Sequence, residues 1–422
     1  MKKTLATLAA LVLCAQTASA AFTLYDLARD SMYVARGEFI ELERTASGDR
    51  LHLRCDKMLK GDMAPGAEVI LEAFEPAPAD SALGRDVLVG FNLINGKYYF
   101  NLHPYAWRSF YFEESDPAPN GMNQNEECLT RFIDINRPHK ATIESELRKR
   151  LELQTLEYEG QFSNELINEW KAELLAQMAR PGTVAARDAA KAFIDHTLFR
   201  NTLTVEEMRY VGSLLKASNP GTLERSYMLE IVRNEASAHP SLAVMVGMLR
   251  EETADYCVGK LSNLFSAVED RAKVIGTVGA MAADSTESVQ VRINALQTLA
   301  AMGDVSAVAF VQSALTGEME RGADFNKNIV RGSLKALRRL SSESSTELLE
   351  AYIATEQCSA SWELTRRAWI AYAMIDSNAT NTKIRQVFDA TPKTEVAKRK
   401  FFGRLLDVNK INRELLMVFN ED

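Results

Sequence analysis

Residues 288–315 read SVQVRINALQTLAAMGDVSAVAFVQSAL. Whether this string is an isolated helical hairpin or one unit of a stack decides the fold. In its first half Val289, Ile293, Leu296, Leu299 and Ala300 recur at helical spacing and share one face. Gly303 suits the left-handed residue that closes a helix, and Asp304 suits a cap that accepts from the free amides of the next. In the second half Val305, Val308, Val311 and Leu315 form one stripe, while Ala307, Phe310 and Ala314 lie nearly opposite. An isolated hairpin needs one apolar face per helix. A second apolar face demands a neighbour on the other side, so the string predicts a stack.

The neighbours are legible on both sides. NIVRGSLKALRRL is followed by a polar SSESS and TELLEAYI; RRAWIAYAMI is followed by DSNATN and KIRQVFDA. Upstream, VAARDAAKAFIDHTLF precedes LTVEEMRYVGSLLKA, in which Thr204 and Glu207 have the spacing of a capping box. Such helix pairs recur about every 35–40 residues. The string VRINALQTLAAMGD, with Arg292 ahead of the apolar run and Asp304 in the turn, resembles the HEAT repeat. That resemblance implies a C-terminal α-solenoid over residues 183–422, whose long surface would hold a protein or peptide.

The amino-terminal part has a different period. From Tyr33 to about Phe112, YVARGEFIEL, RLHLRC, AEVILEAF and RDVLVGF are short apolar or alternating runs separated by polar, Gly- and Pro-rich segments. In VLVGFNLINGKYYFNL, Asn95-Gly96 provides the positive φ angles of a type I′ turn. The order MYVARGEFIEL, CDKMLKGD, GAEVILEAF, GRDVLVGF resembles the OB-like barrel of netrin-type and metalloprotease-inhibitor modules. Inhibitory members of that family begin with a zinc-ligating cysteine, whereas this chain is expected to begin Ala21-Phe22 after processing, so inhibition is not carried over. The expected fold class is α+β multidomain. A small N-terminal β-barrel or sandwich (21–135) is followed by a helical connector (136–182) and the HEAT-like α-solenoid (183–422).

The chain opens MKKTLATLAALVLCAQTASAAF: two lysines, a short apolar run and an Ala18-Ser19-Ala20 exit. This pattern is that of a secretory signal peptide over residues 1–20, and the expected compartment is a bacterial periplasm. Leu13 before Cys14 departs from a lipoprotein site, which needs a small residue there. Without Lys2 and Lys3 there remain 47 basic against 57 acidic residues, a formal charge of about −10. That charge argues against nucleic acid as a partner, and no stretch is long and apolar enough for a transmembrane segment.

Enzyme signatures are missing. The sequence has no H-E-x-x-H, G-x-S-x-G, EF-hand loop or C-x-x-C, and its five histidines fall nowhere at metal-ligand spacing on one helix. No catalytic residue, metal or cofactor is therefore expected. Of the cysteines left after processing, Cys55 alternates with Leu51 and Leu53 and so faces inward. In an oxidising compartment it is expected to pair with Cys128. Cys257 and Cys358 lie two to three repeats apart, too far for a bond.

Three groups of residues are candidate contacts. Tyr98, Tyr99, Phe100, Tyr105, Trp107, Phe110, Tyr111 and Phe112 crowd one band, of which Tyr99, Tyr105 and Trp107 are candidates for ligand binding. Trp362, Arg366 and Trp369 recur at helical spacing, and Lys398, Arg399 and Lys400 centre a basic stretch from Lys383 to Arg413. These six are the expected contacts for a protein or peptide, with an anionic surface or glycan as the other partner class. The functional expectation is an exported, non-enzymatic binding or scaffold protein. Its rivals are an enzyme built on His103 and His139 with Glu113, Glu114 and Asp116, and a small-ligand or glycan receptor using the aromatic band.

Overall fold

A computed structural model of the chain describes residues 23–45, 48–73, 83–100, 110–112, 121–153 and 158–406. The expected signal peptide, Tyr105 and Trp107 lie outside them, as do His103, Glu113, Glu114, Asp116, Lys410 and Arg413. The chain divides into two compact units, one up to Val232 and one from Arg233. No helix among the described residues is long and apolar enough to cross a membrane.

The described residues of the first unit open with a short helix, α1 (Leu24–Asp30), and a small sheet. Its strands are β1 (Tyr33–Thr45), β2 (Gly48–Lys60), β3 (Ala67–Glu72), β4 (Asp86–Ile94), β5 (Lys97–Tyr99) and β6 (Phe110–Phe112). β2 runs antiparallel between β1 and β3, β5 pairs parallel with β3 and antiparallel with β4, and β4 also pairs with β1 and β6. The alternation read in the sequence sets the inside: Leu51, Leu53 and Cys55 join Phe39, Phe91 and Phe100 in one apolar core. The β4–β5 turn has Asn95 and Gly96 at φ 50° and 79°, as its Asn-Gly pair predicts. Helices α2 (Gly121–Asn136), α3 (Lys140–Leu153), α4 (Asn164–Met178), α5 (Val184–Asp195), α6 (Val205–Leu214) and α7 (Leu223–Val232) complete the unit.

All seven residues of α1 are buried, three of them charged. The helix touches α2, α3, α5 and β4, so its charges are satisfied by side chains from distant parts of the chain. Thr23 and Asp26 form a capping box. Arg29 donates twice to Asp30 at 2.7 Å and once to the Tyr25 hydroxyl at 3.2 Å, and Arg150 of α3 reaches the same Asp30. His196, just past α5, lies with Nε2 3.0 Å from Asp26 and Nδ1 3.4 Å from Glu159. Burial disfavours a charged imidazole there, but the two carboxylates outweigh it and raise the His196 pKa above its ordinary value. Burial likewise opposes ionisation of Glu159. His196, the Thr197 hydroxyl and two backbone amides prevail and bring it down to about 2; Asp26 is also lowered, by His196 and Arg29.

The second unit holds α8 (Leu242–Glu251), α9 (Asp255–Ser266), α10 (Arg271–Ala283), α11 (Val289–Met302), α12 (Val308–Glu320), α13 (Lys327–Leu340), α14 (Thr346–Ile353), α15 (Glu356–Ser359), α16 (Trp362–Ile375), α17 (Asn378–Ala390) and α18 (Val396–Leu406). They pack as successive hairpins in two rows. One row is α9, α11, α13 and α16, each against the next; the other is α10, α12 and α14. The stretch 288–315 is α11, its turn and most of α12. Ser288 accepts from the Val291 amide, Gly303 closes α11 at φ 64°, and Asp304 accepts from the Ser306 amide.

The apolar faces differ in part from the reading of the sequence. Val289 and Val305, the first residues of α11 and of the turn before α12, are exposed, and Ile293 is half-buried. Burial instead wraps α11 almost completely and takes in Arg292, Asn294 and Thr298. The reason is polar cross-bracing between hairpins. Asn294 donates to the carbonyls of Leu249 and Glu252 at 2.9 Å, and Arg292 donates to the Ala282 carbonyl and to Glu318 at 2.8 Å. Glu318 is wholly buried and also accepts from the Asn326 amide at 2.6 Å. On the other side of α12, Phe310 lies over Gly279 of α10, where a Cβ would come within 2.4 Å of the ring.

The expected Cys55–Cys128 disulfide is not formed. Both are free, buried thiols: Cys55 belongs to the sheet core, whereas Cys128 on α2 lies 3.4 Å from Arg180 after α4. Inward alternation places a side chain in the core but does not aim it at a particular helix. Burial pushes both thiols up to about 11, which keeps them protonated. Cys257 and Cys358 lie buried in α9 and α15 with no bond between them.

Three outcomes follow from this packing. Replacing Arg292 by Met strands the Glu318 carboxylate and should cost about 3–5 kcal/mol in urea unfolding, with the Arg292→Met/Glu318→Met double variant losing much less. Cys55 and Cys128 should resist a thiol reagent in the native chain and react after denaturation, and reductant should leave the melting temperature unchanged; release by reductant would contradict the free-thiol assignment. The His196 contribution is complete below its unfolded pKa of about 6.5 and fades as pH rises through the higher folded value. That of Asp26 and Glu159 is complete above about 4.3 and fades as pH falls towards 2. His196→Gln should therefore destabilise most near pH 5–6 and reduce the loss on the alkaline side, as measured by unfolding across pH.

Candidate functional site

On α13 the string KNIVRGSLKALRRL segregates into two faces. Ile329, Val330, Leu334, Leu337 and Leu340 are buried, while Lys327, Arg331, Lys335 and Arg339 occur at every fourth position. Residues four apart lie above one another on a helix, so these four cations form one row along its exposed side. Capping by Asn326, which accepts from the amides of Asn328 and Ile329, fixes where the row begins.

The lower half of the row is partly neutralised. Glu363 on α16 accepts from Arg331 at 2.6 and 2.5 Å, and Lys327 and Arg367 each lie 3.0 Å from it. Hydrogen bonding to Arg331, with the other two cations, holds Glu363 at about 2 although burial opposes this. One carboxylate thus answers three cations. The upper half has no such partner: neither Lys335 nor Arg339 has an ion pair among the described residues, and both are exposed.

Lys335 and Arg339 overhang a cleft of about 390 Å³ that crosses three helices of one row. Its floor is made by small residues, Gly259 and Ser262 on α9 with Ala300 and Ala301 on α11. Asp255 and Gln297 stand at one side, joined by a 3.1 Å hydrogen bond, and Ser262 is tied to Thr298 at 3.1 Å. The floor admits an extended main chain or a slim side chain, and the overhanging cations would meet carboxylates.

The expected contact residues separate. Trp369 is core, edge-on to Tyr372 and Phe402. Trp362 is exposed but rests against Phe401, and Arg366 is half-buried beside it on α16. Arg399 is a brace: it donates to the carbonyls of Phe388 and Thr391 and lies over the Phe388 ring, holding α17 to α18. Lys398 pairs with Glu395 at 2.5 Å, while Lys400 is exposed. In the aromatic band, Tyr98 packs on Tyr33 and Phe91, and Phe100 on Phe39, so these two fill the core; Tyr99 is half-buried on β5. His139 ends the turn Arg137–His139.

The row on α13 was not singled out in the sequence, although its signal is there: a basic residue at every fourth position of one amphipathic string. Among the described residues, no three His, Cys, Asp or Glu side chains gather as for a metal ion. No family model, no curated protein and no solved structure matches the chain.

Proposed function

We propose that this chain is an exported, non-enzymatic binding protein in which HEAT-like helical repeats hold an acidic segment of a protein partner. The small sheet that precedes them, whose pairings return from β4 to β1, is on this reading an OB-like barrel. Export rests on the basic, apolar and Ala-Ser-Ala succession of the first twenty residues, and the periplasm is the proposed compartment.

The single observation that carries the binding site is the row of four cations on α13, two of them without counter-charge and overhanging a cleft floored by Gly and Ala. A protein of net charge −8 that concentrates cations in one row creates a local field opposite to its own average. Long-range repulsion discourages acidic partners elsewhere on the surface, while the row rewards an acidic segment in one register. The stack keeps the cleft fixed, because α9, α11 and α13 are held by buried packing, by the Ser262–Thr298 bond between α9 and α11, and by Glu318 of α12, which joins Arg292 of α11 to the Asn326 amide at the start of α13.

The test is fluorescence anisotropy with a labelled Glu-rich decapeptide. Binding should weaken with rising salt. It should weaken at least about tenfold in the Lys335→Glu/Arg339→Glu variant, a loss of about 1.4 kcal/mol or more, and stay the same in Lys398→Glu/Lys400→Glu. The opposite ranking would move the contact to α18, and equal affinity in all three proteins would overturn the proposal.

A further inference from the structure

A second cavity, of about 220 Å³, lies within the first unit, where the end of β2 meets α2 and α3. An apolar cavity of roughly 150 Å³ already accepts a benzene ring, so this one has room for a ring with a short polar arm. Its lining divides by chemistry. Ile133 of α2 and Ile143 of α3 are buried and offer apolar surface, whereas Lys60, Arg137 and Lys140 bring three cations against the one carboxylate of Glu144.

Lys60 is the distinctive member. Its ammonium donates to the carbonyls of Ala28 at 2.9 Å and Ser31 at 2.5 Å, the free end of α1, which leaves one N–H without an acceptor among the described residues. Burial draws its pKa down to about 8, while Asp30 and Glu144 hold it up, so it remains charged at neutral pH. Arg137 pairs with Asp134 at 2.6 Å and Lys140 with Glu144 at 3.6 Å; both are well exposed at the cavity mouth. Gly61, next in the chain, has φ 103°, and a Cβ there would come within 2.5 Å of the Tyr33 ring, so the turn that presents Lys60 depends on glycine.

We propose that this cavity binds a small organic carboxylate with an apolar body, of the size of a monocyclic aryl acid. The ring would lie on Ile133 and Ile143, and the carboxylate would take the remaining N–H of Lys60 with Arg137 and Lys140 at the mouth. A charge-assisted bond from a partly buried ammonium favours the anion over a neutral isostere of the same shape.

The experiment compares phenylacetate with phenylacetamide on the full chain, by calorimetry and ligand-observed NMR. Phenylacetate should bind about tenfold or more tightly than the amide. Lys60→Met should remove that preference. Because Lys60 also caps α1, this variant could fail to fold; Arg137→Gln/Lys140→Gln, at exposed positions, should then reduce phenylacetate affinity severalfold and leave the amide unaffected. Equal binding of acid and amide, no binding of either, or a double variant with unchanged preference would each overturn the proposal.

Discussion

The helical unit depends on one constraint: a helix apolar on two sides has to be covered on two sides. α11 is such a helix, with Val291, Ala295 and Leu299 on one stripe and Leu296 and Ala300 on another, all buried. Covering both stripes brings α9, α10 and α13 against it, and each of these packs in turn on a further helix. The buried Arg292–Glu318 pair acts within this scheme. Apolar faces alone tolerate sliding of one hairpin on the next, whereas an ion pair that also binds the Ala282 carbonyl and the Asn326 amide is satisfied in one register.

The first unit meets a related constraint in another way. α1 is too short to be stable alone, and it carries Asp26, Arg29 and Asp30 into a place without water. Their partners Arg150 and His196, with Glu159 on the far side of His196, come from three later segments, so α1 ties the sheet to the helices that follow it. Around the charges, Tyr25 meets Phe132, Trp170, His196 and Phe199 edge-on at 5.1–5.6 Å. Every one of these ionised groups is engaged by another, and the cavity beside Arg29, Asp30, Arg150 and Glu159 is about 10 Å³.

What was legible in the sequence was what depends on local period and local turn chemistry. Gly303, Asp304, Asn95-Gly96 and the Thr204–Glu207 capping box all do what their residue types require within a few positions. What was not legible depends on distant pairing. α1 resembles an ordinary polar amphipathic segment until its charges meet Arg150 and His196, more than a hundred residues on. Arg399 counted towards a basic patch, yet it braces two helices. Cys55 was rightly placed inside the sheet, but no rule of alternation says what a thiol on a remote helix will face. The α13 row lay between these cases. Its four-residue spacing was visible, but that Lys335 and Arg339 overhang small residues of α9 and α11 required the packing.

On the proposed function, the cleft across α9, α11 and α13 holds the acidic partner. Hydrogen–deuterium exchange of the full chain with and without a saturating Glu-rich peptide tests it most directly. Exchange should slow at the exposed ends of α13 and α11 bordering the cleft, with α17 and α18 unchanged. Protection confined to α17 and α18, or no protection in the helical unit, would contradict it.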